Sequence, residues 1–192
     1  MDMSVEMSVE MNVEMNVEIA EKIILRTLRP DDRAALAVYF ESLGVETRRR
    51  FQPHPLTQEA AVAVCNEGES STVRLVIERK GDLIAYFILD RGLPVYETPR
   101  YREFGIDLAV GSDLLFAPSV ADAWQNRGIA SLAMPHLIAF ARQLGARSLV
   151  LMGGTQATNH RAIAFYEKFG FKRFGGYQTD VFNHDMRLLL EA

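Results

Sequence analysis

From residue 23 onward the apolar positions fall into alternating strand-like and helix-like stretches. Residues 23–28 form a β-branched, apolar run and predict a first strand. Asp31 is then read as the N-cap of a helix through Ala34, Leu36, Ala37, Phe40 and Leu43, broken by Gly44. Thr57 caps a second helix over 58–65, and strands at 73–78 and 83–89 flank the turn Arg79-Lys80-Gly81-Asp82. Residues 90–112, interrupted by Gly92, Pro94, Pro99, Gly105 and Gly111, read as a long connection with one short strand near 106–110. Connections of that length are often functional lids. A strand over 114–120 contains Pro118, which cannot donate to a ladder and so implies a bulge or an edge. A helix over 127–144, loosened by Pro135, precedes a strand at 148–152. Asn159 caps a helix that Gly170 ends, and strands at 171–174 and 185–190 close the chain. This order predicts an α/β (α+β) fold, a mixed sheet flanked by helices.

The first 22 residues differ. Residues 3–18 read MSVE, MSVE, MNVE, MNVE, with Met and Val alternating against polar residues. Period two is the strand pattern, but identical units specify register poorly. This acidic extension is read either as a flexible tail or as an added edge strand, and residues 23–192 as a single domain.

Composition narrows the function. A chain of 192 residues, 48% hydrophobic, suits one domain with a sizeable core. No apolar run is long enough to span a membrane, and the acidic start lacks the features of a secretory signal. Cys65, the single cysteine, fits a reducing cytoplasm. Six acids against Lys22 give residues 1–22 a balance of −5, so the net charge of −4 leaves +1 on the rest. A body so near neutral argues against nucleic-acid binding. His136, His160 and His184 lack zinc-ligand spacing.

Two stretches carry chemistry. Between the strand at 114–120 and the following helix lies Gln125-Asn126-Arg127-Gly128-Ile129-Ala130. The first N–H groups of a helix lack internal partners and carry partial positive charge. Gly128 and Ala130 are small enough to let an anion approach those amides, and Arg127 adds a full charge, so a pyrophosphate site is predicted. In the second stretch, Asn159 and Tyr166 lie two helical turns apart and share a face. Either stretch alone also reads as ordinary structure: a strand-to-helix turn, or a capping Asn and a half-buried Tyr.

In this order the two stretches resemble the GCN5-related N-acetyltransferase (GNAT) family. The first matches the family signature Q/R-x-x-G-x-G/A. Asn159, Ala162, Phe165, Tyr166, Lys168, Gly170 and Phe171 match its later helix. The resemblance implies a GNAT-like, mostly antiparallel central sheet over residues 23–190. It also implies an acetyl-CoA-dependent N-acetyltransferase that needs no metal and acts on a small-molecule or peptide amine. The amides from Gln125 to Ala130 would bind the CoA pyrophosphate, and Asn159 the pantetheine or phosphate region. The Val120 amide would polarise the thioester carbonyl, and Tyr166 would protonate the leaving thiolate. Many members carry an acid on the fourth strand as base. Here Asp113 is the nearest candidate, ahead of Glu103 and Asp107 on the preceding connection. The resemblance leaves a homodimer open. A non-catalytic acyl-CoA-binding or sensory domain is the alternative, and an assembly module built on the repeat a third class. Arg48, Arg49, Arg50 and His54 lie where the family usually shapes its acceptor pocket; solvated loop and helix-end positions are the plainer reading.

Overall fold

The computed structural model describes residues 10–17, 21–67, 70–94 and 96–190. One eight-stranded sheet, ordered β1-β2-β3-β4-β5-β6-β8-β7, forms the centre. Its strands are β1 (Asn12–Val17), β2 (Glu21–Thr27), β3 (Thr72–Arg79), β4 (Asp82–Asp90), β5 (Asp113–Val120), β6 (Ser148–Gln156), β7 (Lys172–Gln178) and β8 (Phe182–Leu189). Every neighbouring pair is antiparallel except β5 and β6, which run parallel. The helices are α1 (Arg33–Ser42), α2 (Val45–Arg50), α3 (Gln58–Asn66), α4 (Thr98–Glu103), α5 (Ile129–Gln143) and α6 (His160–Lys168).

Alternation along the strands divides the core into two layers. Leu25, Leu75, Phe87, Leu89, Leu114, Phe116 and Leu149 pack with Leu137 and Phe140 of α5. On the other face, Val76, Tyr86 and Ile88 pack with Leu36 and Phe40 of α1 and Ala61 and Val64 of α3. Strand β1 is built from the last two repeat units. Met11 and Met15 are buried in the α5 layer while Asn12 and Glu14 are exposed. Residues 3–9 of the earlier units lie outside the described residues.

Local expectations need four corrections. Asp31 does not cap α1; the Asp32 carboxylate instead accepts from the Arg29 N–H (2.7 Å) and is gripped by Arg26. The connection 90–112 holds the helix α4 and no strand at 106–110. A short helix, α2, follows Gly44. Strand β6 runs past the predicted end at Met152 to Gln156, through an irregularity between Leu151 and Thr155.

Candidate active site

The parallel pairing of β5 with β6 covers only Asp113–Leu115 against Ser148–Val150. Beyond it the strands separate, while β5 stays paired with β4 as far as Val120. The Ala121 N–H donates to the Ile84 carbonyl (3.0 Å). Antiparallel alternation therefore turns the main-chain nitrogens of Pro118 and Val120 away from β4, toward the gap. Pro118 makes no bulge: it stands in register with Phe87, facing the open side, where its missing N–H removes no ladder bond. The opening begins three residues before it.

A cavity of about 310 Å³ occupies the α5 end of this gap. Gln125, Asn126, Gly128, Ile129 and Ala130 line it, as do Val120, Asn159 and Tyr166. Gly128 sits just before α5 with φ +78°, a left-handed conformation that favours glycine. The Gln125 side chain donates to the Val120 carbonyl (3.0 Å) and the Thr47 hydroxyl (3.1 Å), tying the loop to β5 and α2. Asp122 adds a second tie, accepting from the Gly44 N–H (2.6 Å) and the Thr47 hydroxyl (2.7 Å). Asn159 caps α6 through the Ala162 N–H (3.3 Å) and also lines the cavity.

Arg127 does not line this cavity. It is exposed, with its guanidinium 5.0 Å from the Trp124 ring centre. The positive charge at the cavity comes instead from Arg50 and from Arg161, which donates to Gln125 Oε1 (2.5 Å) and Asn126 Oδ1 (3.3 Å). For Arg161, its place two residues after the Asn159 cap was the available signal, but the sequence motif leaves that position unspecified.

A second cavity, of about 390 Å³, lies over the sheet face at β4, β5 and β6. Its floor includes Ile88, Leu115, Ala117 and Met152, and its walls Asp90, Tyr96, Glu97 and Tyr177. Arg50, Phe51, Pro118, Gly154 and Tyr166 line both cavities. Tyr166 is 7% exposed, and its hydroxyl makes no hydrogen bond among the described residues. Burial pushes that phenol above its ordinary value, so it stays protonated at neutral pH.

The three arginines divide. Arg48 turns inward to the carbonyls of Leu43 and Leu56, both at 2.9 Å. Arg49 pairs with Glu46, and Arg50 reaches the shared part of the cavities. His54 is half-buried, donating from Nδ1 to the Pro55 carbonyl (2.7 Å), so Nε2 accepts from the Tyr86 hydroxyl (3.1 Å). Burial lowers its pKa, and its ring braces Phe51.

Asp113 is not placed to take a proton from an amine. It is fully buried at the closed end of β5, five residues or roughly 17 Å from Pro118. It lines neither cavity. It accepts from Arg147 Nε and Nη2 (2.9 and 2.6 Å), Arg187 Nη2 (2.8 Å), the Ser148 hydroxyl and the Ala109 N–H (2.7 Å). Burial raises its pKa, but these donors outweigh burial and hold the carboxyl at about 2. Such a carboxylate is an anchor, not a base. Glu103 and Asp107 are exposed and also line neither cavity.

A splayed pair of central strands, with an amide-rich helix start beside the gap, defines a class of group-transfer enzyme. The Acetyltransferase (GNAT) family profile matches residues 36–171, and the chain belongs to that family. Among solved structures, the GNAT domain of PAT from S. lividans is 19% identical, with TM-score 0.72 over 93% of this chain and 97% of that one. The acetyltransferase of the GNAT family from Streptococcus pneumoniae is 19% identical, with TM-score 0.63 over 87% and 99%. The Salmonella typhimurium protein YncA, solved with its cofactor acetyl-CoA, is 16% identical, with TM-score 0.63 over 88% and 94%. At these identities the likeness is one of fold. No curated protein sequence matches the chain. Among the described residues, no helix is long and apolar enough to cross a membrane, and no acidic, His or Cys cluster is arranged to hold a metal.

Proposed function

We propose that this chain moves an acetyl group from acetyl-CoA to an amine by direct attack. The observation that carries the reading is the meeting of two cavities at Tyr166, in the gap between β5 and β6. One cavity has the fittings for a pyrophosphate: the amides from Asn126 to Ala130, Gly128 without a side chain, and Arg161. The other, with its apolar floor, receives the amine. Acetyl-CoA supplies the thioester.

Within that frame each residue has a task. The unpaired Val120 N–H donates to the carbonyl oxygen as negative charge develops there. Gln125 and Asn159 hold the loop and the α6 start that shape the cofactor cavity. Tyr166 keeps its proton until sulfur leaves, then gives it up. Arg127, stacked on Trp124, acts at longer range on the phosphates.

The test is steady-state acetylation of a panel of amines by the parent and by Tyr166→Phe. The reading expects turnover that the variant loses while acetyl-CoA affinity stays within about twofold. Equal turnover by both proteins would remove Tyr166 from the chemistry. Acetyl-CoA binding without turnover of any amine would favour an acyl-CoA-binding domain instead.

A further inference from the structure

The reaction as proposed leaves the amine's proton without an acceptor. Ammonium groups cannot attack a thioester, so one proton must leave before the N–C bond forms. Asp113 is excluded by its place at the closed end of β5, outside both cavities. Among the described residues, Asp90 and Glu97 are the carboxylates that line the acceptor cavity.

These two are not equivalent. Asp90 stands opposite Leu115, three rows from the Phe87–Pro118 pair, or roughly 10 Å along the strand. Its Oδ1 accepts from the Gly92 N–H (2.8 Å) and the Ser71 hydroxyl (3.2 Å). Glu97 lies just before α4 and is tied to the point where the cavities meet. Arg100 pairs with Glu97 and also donates to Asp185 from Nε (2.6 Å) and Nη2 (2.9 Å). Asp185, fully buried on β8, accepts from the Gly153 N–H (2.7 Å). Gly153 adjoins Gly154, which lines both cavities. Gly153 has φ +62°, and a Cβ there would lie 2.1 Å from Tyr177 Cε1, so only glycine fits this irregular turn. The bond series Gly153–Asp185–Arg100–Glu97 thus fixes a carboxylate relative to the strand that carries the gap.

The Glu97 carboxylate is ion-paired with the Arg100 guanidinium through Oε2, which orients it at the wall of the acceptor cavity.

We propose that Glu97 is the catalytic residue that receives the acceptor's proton, an assignment that rests on the acetyl-transfer reading above. The ammonium gives one proton to the Glu97 carboxylate and the free amine attacks the thioester carbon. The N–C bond forms and the C–S bond breaks, its electron pair leaving with sulfur. Tyr166 protonates that sulfur and regains a proton from the newly bonded nitrogen. Glu97 releases its proton to water, so one proton is produced for each acetyl group transferred.

The test compares parent and Glu97→Gln with two kinds of nucleophile. Methylamine, phenethylamine and 1,5-diaminopentane are ammonium ions at pH 7.5; methoxyamine and O-benzylhydroxylamine are free bases. The kcat/KM ratio of phenethylamine to O-benzylhydroxylamine should fall at least tenfold in Glu97→Gln, and its deficit should shrink between pH 7 and pH 9.5. Acetyl-CoA affinity and Tm, measured alongside, separate this from a folding defect. A Glu97→Asp variant should recover part of the ratio. An unchanged ratio, or a deficit independent of pH, overturns the assignment while leaving acetyl transfer intact. A parent that binds acetyl-CoA but acetylates no probe overturns acetyl transfer itself, and the assignment with it.

Discussion

Asp113 and Asp185 are both fully buried carboxylates gripped by arginine, yet they sit at opposite ends of the β6 ladder. Around Asp113 the sheet is closed: β5 pairs with β6, and Arg147, Arg187 and Ser148 converge on one carboxylate. Near Asp185 the sheet is open, and the carboxylate holds a strained glycine turn and the helix α4 that walls a cavity. Identical chemistry supports stability at one end and a site at the other. What separates them is the extent of pairing between β5 and β6, because only an unpaired stretch leaves main-chain donors for a ligand.

That contrast can be broken by substitution. Tyr166→Phe, in the open end, should lower kcat by about 10²–10⁴-fold, the usual contribution of a general acid, without changing Tm. Asp113→Asn, in the closed end, should do the reverse. Removing one partner of a buried ion pair costs about 3–5 kcal/mol, so denaturant melts should show a large loss while acetyl-CoA affinity persists.

The acid limb of stability sharpens the same point. Asp113 is held at about 2, below the ordinary carboxylate value, so its stabilisation is present above the unfolded-state pKa. It is lost as pH falls from about 4 through 2. An Asp113→Asn protein should lose the part of its acid-induced destabilisation that lies in this window, measured as urea midpoints against pH. A smaller effect is expected from Met15→Ala in the edge strand, about 2 kcal/mol for removing a buried Met side chain, read as a urea midpoint. Turnover should be unaffected, since three strands, β2, β3 and β4, separate β1 from the gap's near side.

How much of this was legible in the sequence follows from the range of the contacts. The hairpin of β3 and β4, the Thr57 and Asn159 caps and the Gly170 stop are local, and the structure has them where the pattern put them. The motif from Gln125 to Ala130 is local too, and most of it lines the 310 Å³ cavity. Asp113 misled because its partners Arg147 and Arg187 lie 34 and 74 residues away, and a lone acid at a strand start announces neither. Arg161 and Glu97 occupy positions no periodicity marks. Helix α4 was missed because three Gly and two Pro interrupt residues 90–112, while its anchor, Arg100 on Asp185, spans 85 residues. Of the two readings of Pro118, a bulge or an edge, the edge is the one the structure has: its nitrogen faces the open side of β5.

The most direct test of the account is calorimetric titration of acetyl-CoA into the parent, Arg161→Glu and Asp113→Asn at one ionic strength. The account predicts one site per chain, an affinity at least about tenfold weaker in Arg161→Glu, as expected when a charge facing a phosphate is reversed, and Asp113→Asn within about twofold of the parent. A folded parent that does not bind acetyl-CoA would contradict it, as would equal losses in the two variants.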